Sequence, residues 1–187
     1  MPRSHFTKNS GDKVLSIGSK FSALYRELLQ VLAVGLLIGV LGGFAANFFV
    51  LGVSYIDGSL NGRLAGLTVN ESVIVRWLAL VAAVLLIFVL KRVFSMERWY
   101  GPADTLLYVH RPGMNFPIKQ GFISTGAAFI SASAGASVGQ YGPVLHFGAS
   151  VGAYIKGLLP SRISPEVYVA CGVAAAISAG FGAPIAG

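Results

Sequence analysis

The sequence is poor in charge and contains a single cysteine. Charged side chains make up 11% of its 187 residues, whereas soluble domains carry about 25%, so the composition excludes an ordinary soluble domain. Cys171 alone cannot build an internal disulfide framework, and we interpret it as a small packing residue. Hydrophobic residues account for 55% of the chain and glycine for 24 positions. This composition predicts an all-α polytopic membrane protein.

The charges that remain are mostly basic, with a formal net charge of +7. In so apolar a chain, basic loops that set membrane topology explain this charge better than a nucleic-acid partner does. Residues 1–22 are polar and basic and lack the apolar core of a signal peptide, so we interpret them as a partly disordered cytoplasmic tail. We expect residues 23–187 to form the transmembrane domain, with the N-terminus in the cytoplasm.

The apolar pattern divides the transmembrane domain into successive helices. Residues 28–56 and 72–93 are predicted spans, joined by an outer polar loop over residues 57–71. Glycines recur every four residues in the first span and predict a face for close helix approach; these are Gly35, Gly39 and Gly43. Further helices are predicted after Gly101-Pro102 and over residues 116–134, 144–158 and 166–180.

No acidic or basic side chain occurs between Gln120 and Ile155, yet Gly142-Pro143 interrupts this run. Proline suits the first position of a helix, so we expect a new helix whose unpaired amides begin at about Val144. A helix N-terminus carries partial positive charge, which favours a bound anion. The alternative is a proline kink in an ordinary transmembrane helix.

Two motifs resemble the CLC family of chloride channels and proton/chloride exchangers. The first is Gly139-Gln140-Tyr141-Gly142-Pro143, where that family carries Gly-Lys/Arg-Glu-Gly-Pro, and the small-residue segment 148–152 follows it. The second is the segment 174–187, which is similar to the family's Gly-Leu-Ala-Ala-Ala-Phe-Asn-Ala-Pro-Leu-Ala-Gly stretch. The resemblance implies tilted, broken helices that form the first of two inverted repeats.

The resemblance covers about residue 25 to the end, which corresponds to the first half of a family member. It implies that the anion path needs a C-terminal half, in the same chain or a separate one, and that the complete protein is a homodimer. We therefore expect a truncated chain that takes part in chloride or similar anion transport. The alternative is a non-conducting half-unit that assembles with a separate second half. Compact loops and a short tail suggest a bacterial inner membrane.

The sequence departs from the family pattern before the first short helix. The family has Gly-Ser-Gly-Ile-Pro there, and its serine helps to coordinate the inner anion. Aligning that motif on Gly101 and Pro102 places Trp99 at the serine position, so Tyr100 is the candidate for a replacement hydroxyl. We interpret Asp104 as a first-turn residue that stabilises the helix dipole, in preference to a ligand or catalytic carboxylate.

Tyr141 replaces the glutamate that competes with the anion and couples protons to chloride in the family's exchangers. A tyrosine hydroxyl has a reference pKa near 10 and stays neutral, so we expect passive anion flow or a proton-independent gate. Gln140 replaces a basic residue, which weakens the attraction of anions. His146 is a second candidate gate, and a hydrogen-bonded packing role is the alternative.

We expect neither an enzyme nor a cofactor. Ser131, Ser133 and Ser137 would need a nearby base for nucleophilic chemistry, and His146 is the sole candidate. Small hydroxyls at a helix interface explain these serines without catalysis. No residues have the spacing of metal ligands.

Overall fold

The computed structural model describes residues 8–111, 113–137, 139, 141–183 and 185, with side chains from residue 24 onward. The chain divides into two compact units, residues 1–36 and 37–187. The first unit is helical throughout its described residues, so the part of the predicted tail that the structure describes, from Lys8 onward, is helical. A helical conformation satisfies every interior amide within the segment itself.

The described chain is helical and has no strand, which confirms the all-α fold class. Six helices follow one another in this order: α1 Lys8–Leu64, α2 Val69–Val93, α3 Pro102–His110, α4 Ile118–Ser133, α5 Tyr141–Leu158 and α6 Pro165–Phe181. The segment Leu24–Leu64 of α1 and the whole of α2 are long and apolar enough to cross a membrane. The α3 helix has 9 residues and would extend about 13 Å, so it does not span a membrane alone.

The predicted outer loop over residues 57–71 is wrong, because α1 continues to Leu64 and α2 begins at Val69. Polar side chains at this end of α1 find partners within the helix. Ser59 Oγ donates to the Tyr55 carbonyl at 2.7 Å, and Asn61 Nδ2 donates to Asp57 Oδ2 at 3.0 Å. The polarity that indicated a loop is therefore compatible with a helix, and the true connection is four residues long.

The predicted glycine face of α1 is confirmed in part, since a Cβ built on Gly43 would lie 3.9 Å from Ala179 Cβ of α6, whereas one on Gly35 would meet no described atom within 4 Å. A methyl group built on Gly39 would meet no described atom within 4 Å, whereas one on Gly42 would lie 3.1 Å from Ala175 Cβ of α6. The buried stripe that belongs to the second unit consists of Ile38, Gly42, Ala46, Phe49 and Val53. Its steps of three and four residues match the 3.6-residue helical period better than a strict four-residue step does.

The α5 and α6 helices cross at close backbone contact. A Cβ on Gly148 or Gly152 would clash with the backbone of Gly172 or Tyr168, and a Cβ on Gly172 would clash with Gly148. The sequence Gly-Ala-Ser-Val-Gly occurs twice, at residues 135–139 and 148–152, and both copies suggest small-residue packing faces. The second copy is such a packing face in the structure. The first copy is not, because Gly135 and Gly139 have φ of 89° and 71° and lie in the link between α4 and α5.

Candidate functional site at the convergence of two helix starts

The α5 helix occupies the centre of the second unit, packing on α3, α4 and α6. It begins at Tyr141, three residues earlier than the sequence indicates. Pro143 is therefore the third helical residue, which is tolerated because first-turn amides have no partner within the helix. The amides left open by this geometry are those of Tyr141 and Gly142, so the expectation that they begin at Val144 is corrected. The Val144 side chain is 1% exposed and belongs to the core with Phe49 and Ala176.

The α3 helix starts after Gly101, with Pro102 at its first position, as predicted. The Gly101 amide donates to Asp104 Oδ2 at 2.9 Å, and the Asp104 carboxylate also pairs with Arg98 at 2.7 Å. The interpretation of Asp104 as a first-turn stabiliser is thus confirmed by its geometry. Within the first turn, Ala103 keeps an amide with no intrahelical partner by position.

The two helix starts lie against each other. A Cβ built on Gly142 would be 3.5 Å from Pro102 Cγ, which is ordinary van der Waals contact. Two Gly-Pro pairs that are 41 residues apart in the chain thus bring two helix N-termini together. Because each N-terminus carries about half a positive charge, the arrangement brings two partial positive charges together, and the Arg98–Asp104 pair beside α3 adds no net charge to them.

Tyr141 lies on a third break, at the end of α6. Its ring stacks on Phe181 with a centroid distance of 4.3 Å and an interplanar angle of 9°. The α6 helix ends there because Gly182 adopts a left-handed conformation with φ 61°, and the Ala183 amide closes the turn on the Ser178 carbonyl at 3.0 Å. The stack fixes one face of the Tyr141 ring, while 45% of the residue stays exposed.

Tyr100 precedes α3, and its described contacts are made by its backbone amide and its ring. Its amide donates to Ser124 Oγ of α4 at 2.9 Å, and the Arg98 guanidinium lies 4.5 Å above its ring. Tyr100 also lines an open cavity of about 270 Å³ that Glu97 and Lys119 share. The cavity lies between the segment that precedes α3 and the first residues of α4.

His146 is buried and faces Thr105 of α3. The pair forms a hydrogen bond of 2.8 Å between Thr105 Oγ1 and His146 Nδ1. No hydrogen bond among the described residues joins His146 to Ser131, Ser133 or Ser137, so the serine–histidine arrangement of a hydrolase is not formed. The described residues also contain no group of three or more metal-ligating side chains.

The structure brings together Tyr100, Gly101, Pro102, Tyr141, Gly142 and Pro143, and Gly139 leads into this group. Gln140 lies outside the described residues, as do Pro112, Val138, Pro184, Ala186 and Gly187. The sequence reasoning missed Thr105, Ser124 and Phe181. For Phe181, the sequence offered one signal, which is its position directly before Gly182. Thr105 and Ser124 become functional candidates only through contacts between helices.

Comparison with protein families matches residues 81–187 to the family described as voltage-gated chloride channel. The match begins within α2 and includes α3 to α6, so it contains every residue of the site described above. No curated protein matches the chain.

Proposed function

The chain belongs to the voltage-gated chloride channel family, and from this membership we propose that it forms part of a passive path for chloride or a similar anion. Members of this family are channels or exchangers, not enzymes, and they carry anions across a lipid bilayer. The chain is accordingly an integral membrane protein.

The observation that carries the proposal is the contact between the starts of α3 and α5. Gly142 lies within van der Waals reach of Pro102, so the partial charges of two helix N-termini act on the same space. A small anion there would accept hydrogen bonds from the open amides of Ala103, Tyr141 and Gly142. Asp104 already accepts the Gly101 amide, so α3 offers fewer donors than an uncapped helix start would.

Tyr141 supports passive flow because its side chain is neutral at ordinary pH. Stacking on Phe181 would hold the ring at the edge of the path, where the hydroxyl can donate to a passing anion. A neutral side chain at this position cannot exchange a proton for each anion. Gln140 adds no positive charge at the same helix start, so attraction of anions would depend on the helix termini and on Lys119 in the cavity beside Tyr100.

A second repeat, in the same polypeptide or a separate one, would complete the path and the homodimer that the resemblance implies. The N-terminus would then face the cytoplasm, in accordance with the basic residues that precede the first span. A bacterial inner membrane is the proposed location. The alternative function is a non-conducting unit that assembles with a separate second half, and the two departures Trp99 and Tyr141 support it.

The test is simultaneous measurement of chloride and proton flux in vesicles that contain the native protein. We expect chloride flux with no coupled proton movement. Tyr141→Glu should introduce proton movement, whereas Tyr141→Phe, which keeps the ring and its stack, should not. Stoichiometric proton flux in the wild type would overturn the passive path, and absence of anion binding and flux would favour the non-conducting alternative.

A further inference from the structure

A buried polar pair connects α3 to α5 one turn beyond the two helix starts. Thr105 lies three residues after Pro102, and His146 lies four residues after Gly142. The side chains are 3% and 1% exposed, and the hydrogen bond between Thr105 Oγ1 and His146 Nδ1 is 2.8 Å long. Among the described residues, this is the side-chain hydrogen bond that joins these two helices.

The imidazole ring of His146 has little freedom to move. The ring centroids of His146 and Phe116 are 5.8 Å apart, and a Cβ on Gly121 of α4 would lie 3.2 Å from His146 Nε2. That nitrogen has no hydrogen-bond partner among the described residues. Among the residues that the structure describes, the bond to Thr105 is therefore the only hydrogen bond of the ring, and losing it would leave a buried polar group unsatisfied.

We propose that the Thr105–His146 pair positions the anion site by fixing the separation of the α3 and α5 N-termini. This inference rests on the proposed anion site, because it assigns the pair a role in affinity and in discrimination among anions. The pair does not touch the anion. A bond located one turn below the contact between Pro102 and Gly142 limits how far the two helix starts can move apart, since each helix is a rigid element.

The first experiment measures chloride and nitrate affinity by calorimetry on the native protein. Thr105→Val removes the hydroxyl with little change in volume, and Thr105→Ser restores it. The matched control is Thr125→Val, because Thr125 is 5% exposed and its hydroxyl bonds within α4, to the Gly121 carbonyl at 2.9 Å. Both valine variants lose one buried hydrogen bond, but only one of these bonds joins two helices.

We expect Thr105→Val to weaken chloride binding by about tenfold, the order of effect of one buried hydrogen bond, and to change the chloride-to-nitrate ratio. Thr105→Ser should remain within about twofold of the wild type, as should Thr125→Val. His146→Asn, whose amide can replace Nδ1, should bind better than His146→Leu. Equal effects of the two valine variants on anion affinity would mean a structural role only and would overturn the proposal.

The second experiment reads the helix separation without any anion. In a Cys171→Ser background, the pair Pro102→Cys and Gly142→Cys should form a disulfide, because a Cβ on Gly142 would lie 3.5 Å from Pro102 Cγ and the two side chains would therefore be in contact. Adding Thr105→Val should slow this cross-linking severalfold, and adding Thr125→Val should not. An unchanged rate would overturn the proposal. If the wild type bound no anion while Thr105→Val still slowed cross-linking, the proposed function would fail and the positioning of the helices would stand.

Discussion

Replacing Gly148 with alanine should separate α5 from α6. The added Cβ would lie 2.6 Å from Ala176 Cβ and 3.0 Å from the carbonyl carbon of Gly172, and closer still to the Gly172 carbonyl oxygen. Carbon atoms pack best at about 3.5–4.0 Å, so the two helices would have to move apart by about 1 Å. Because most of these contact atoms belong to the backbone, no side-chain rotation relieves the clash.

Overpacking of this kind costs about 3 kcal/mol at the upper end of the usual range. Alanine recovers about 1 kcal/mol of that through its higher helix propensity, which leaves a net destabilisation of about 2 kcal/mol. The matched control is Gly126→Ala in α4, where an added Cβ meets no described atom within 4 Å. The control should be neutral or more stable by up to about 1 kcal/mol.

The assay is denaturant unfolding in detergent micelles, followed by helical circular dichroism, for the two variants and the wild type. Separation of α5 from α6 should also displace the start of α5. Anion affinity should therefore fall in Gly148→Ala and stay constant in Gly126→Ala. The reasoning would be refuted if Gly148→Ala were as stable as Gly126→Ala, because the close backbone contact would then be absent in the protein.

Three further predictions concern the surroundings of the site. Phe181→Ala should remove the stack on Tyr141, worth about 1 kcal/mol, and change single-channel conductance or flux, whereas Phe181→Tyr should not. Lys119→Gln should lower anion flux and Glu97→Gln should raise it, because a positive and a negative charge line the cavity beside Tyr100. Both effects should become smaller at 1 M salt, where charges are screened beyond about 3 Å. Asp104→Ala should destabilise the protein by about 1 kcal/mol through loss of the α3 cap, measured by thermal unfolding, and Asp104→Asn should lose less.

The helix breaks were predictable because proline and glycine act locally. Gly101-Pro102 marks the start of α3, as the sequence indicates, and the predicted end of the last helix at residue 180 lies one residue before the end of α6 at Phe181. Their mutual arrangement was not predictable from local rules. The contact of Gly142 with Pro102 and the stack of Tyr141 on Phe181 depend on how α3 and α6 pack against α5, and the residue pattern alone contains no such distance.

The first span was predicted to end too early because hydrogen bonds between side chains within the helix are not visible in the residue pattern. Residues 57–64 are polar enough to indicate a loop, but Asn61 bonds to Asp57 one helical turn earlier, which stabilises the helix they belong to. The glycine face was predicted only in part, because a four-residue spacing drifts around the helix. Of the predicted glycines, a Cβ on Gly43 would lie 3.9 Å from Ala179 Cβ of α6 while one on Gly39 would meet no described atom within 4 Å, and Gly42 makes the closer contact.

The central position of α5 explains why one helix carries so many separate functions. Its start supplies the amides and Tyr141, its next turn supplies His146 to α3, and Gly148 and Gly152 beyond them set the contact with α6. A change at any of these levels is transmitted along a rigid helix to the same terminus. The Gly148→Ala and Thr105→Val variants should therefore weaken anion binding through one common displacement, so the double variant should lose less than the sum of the two single effects.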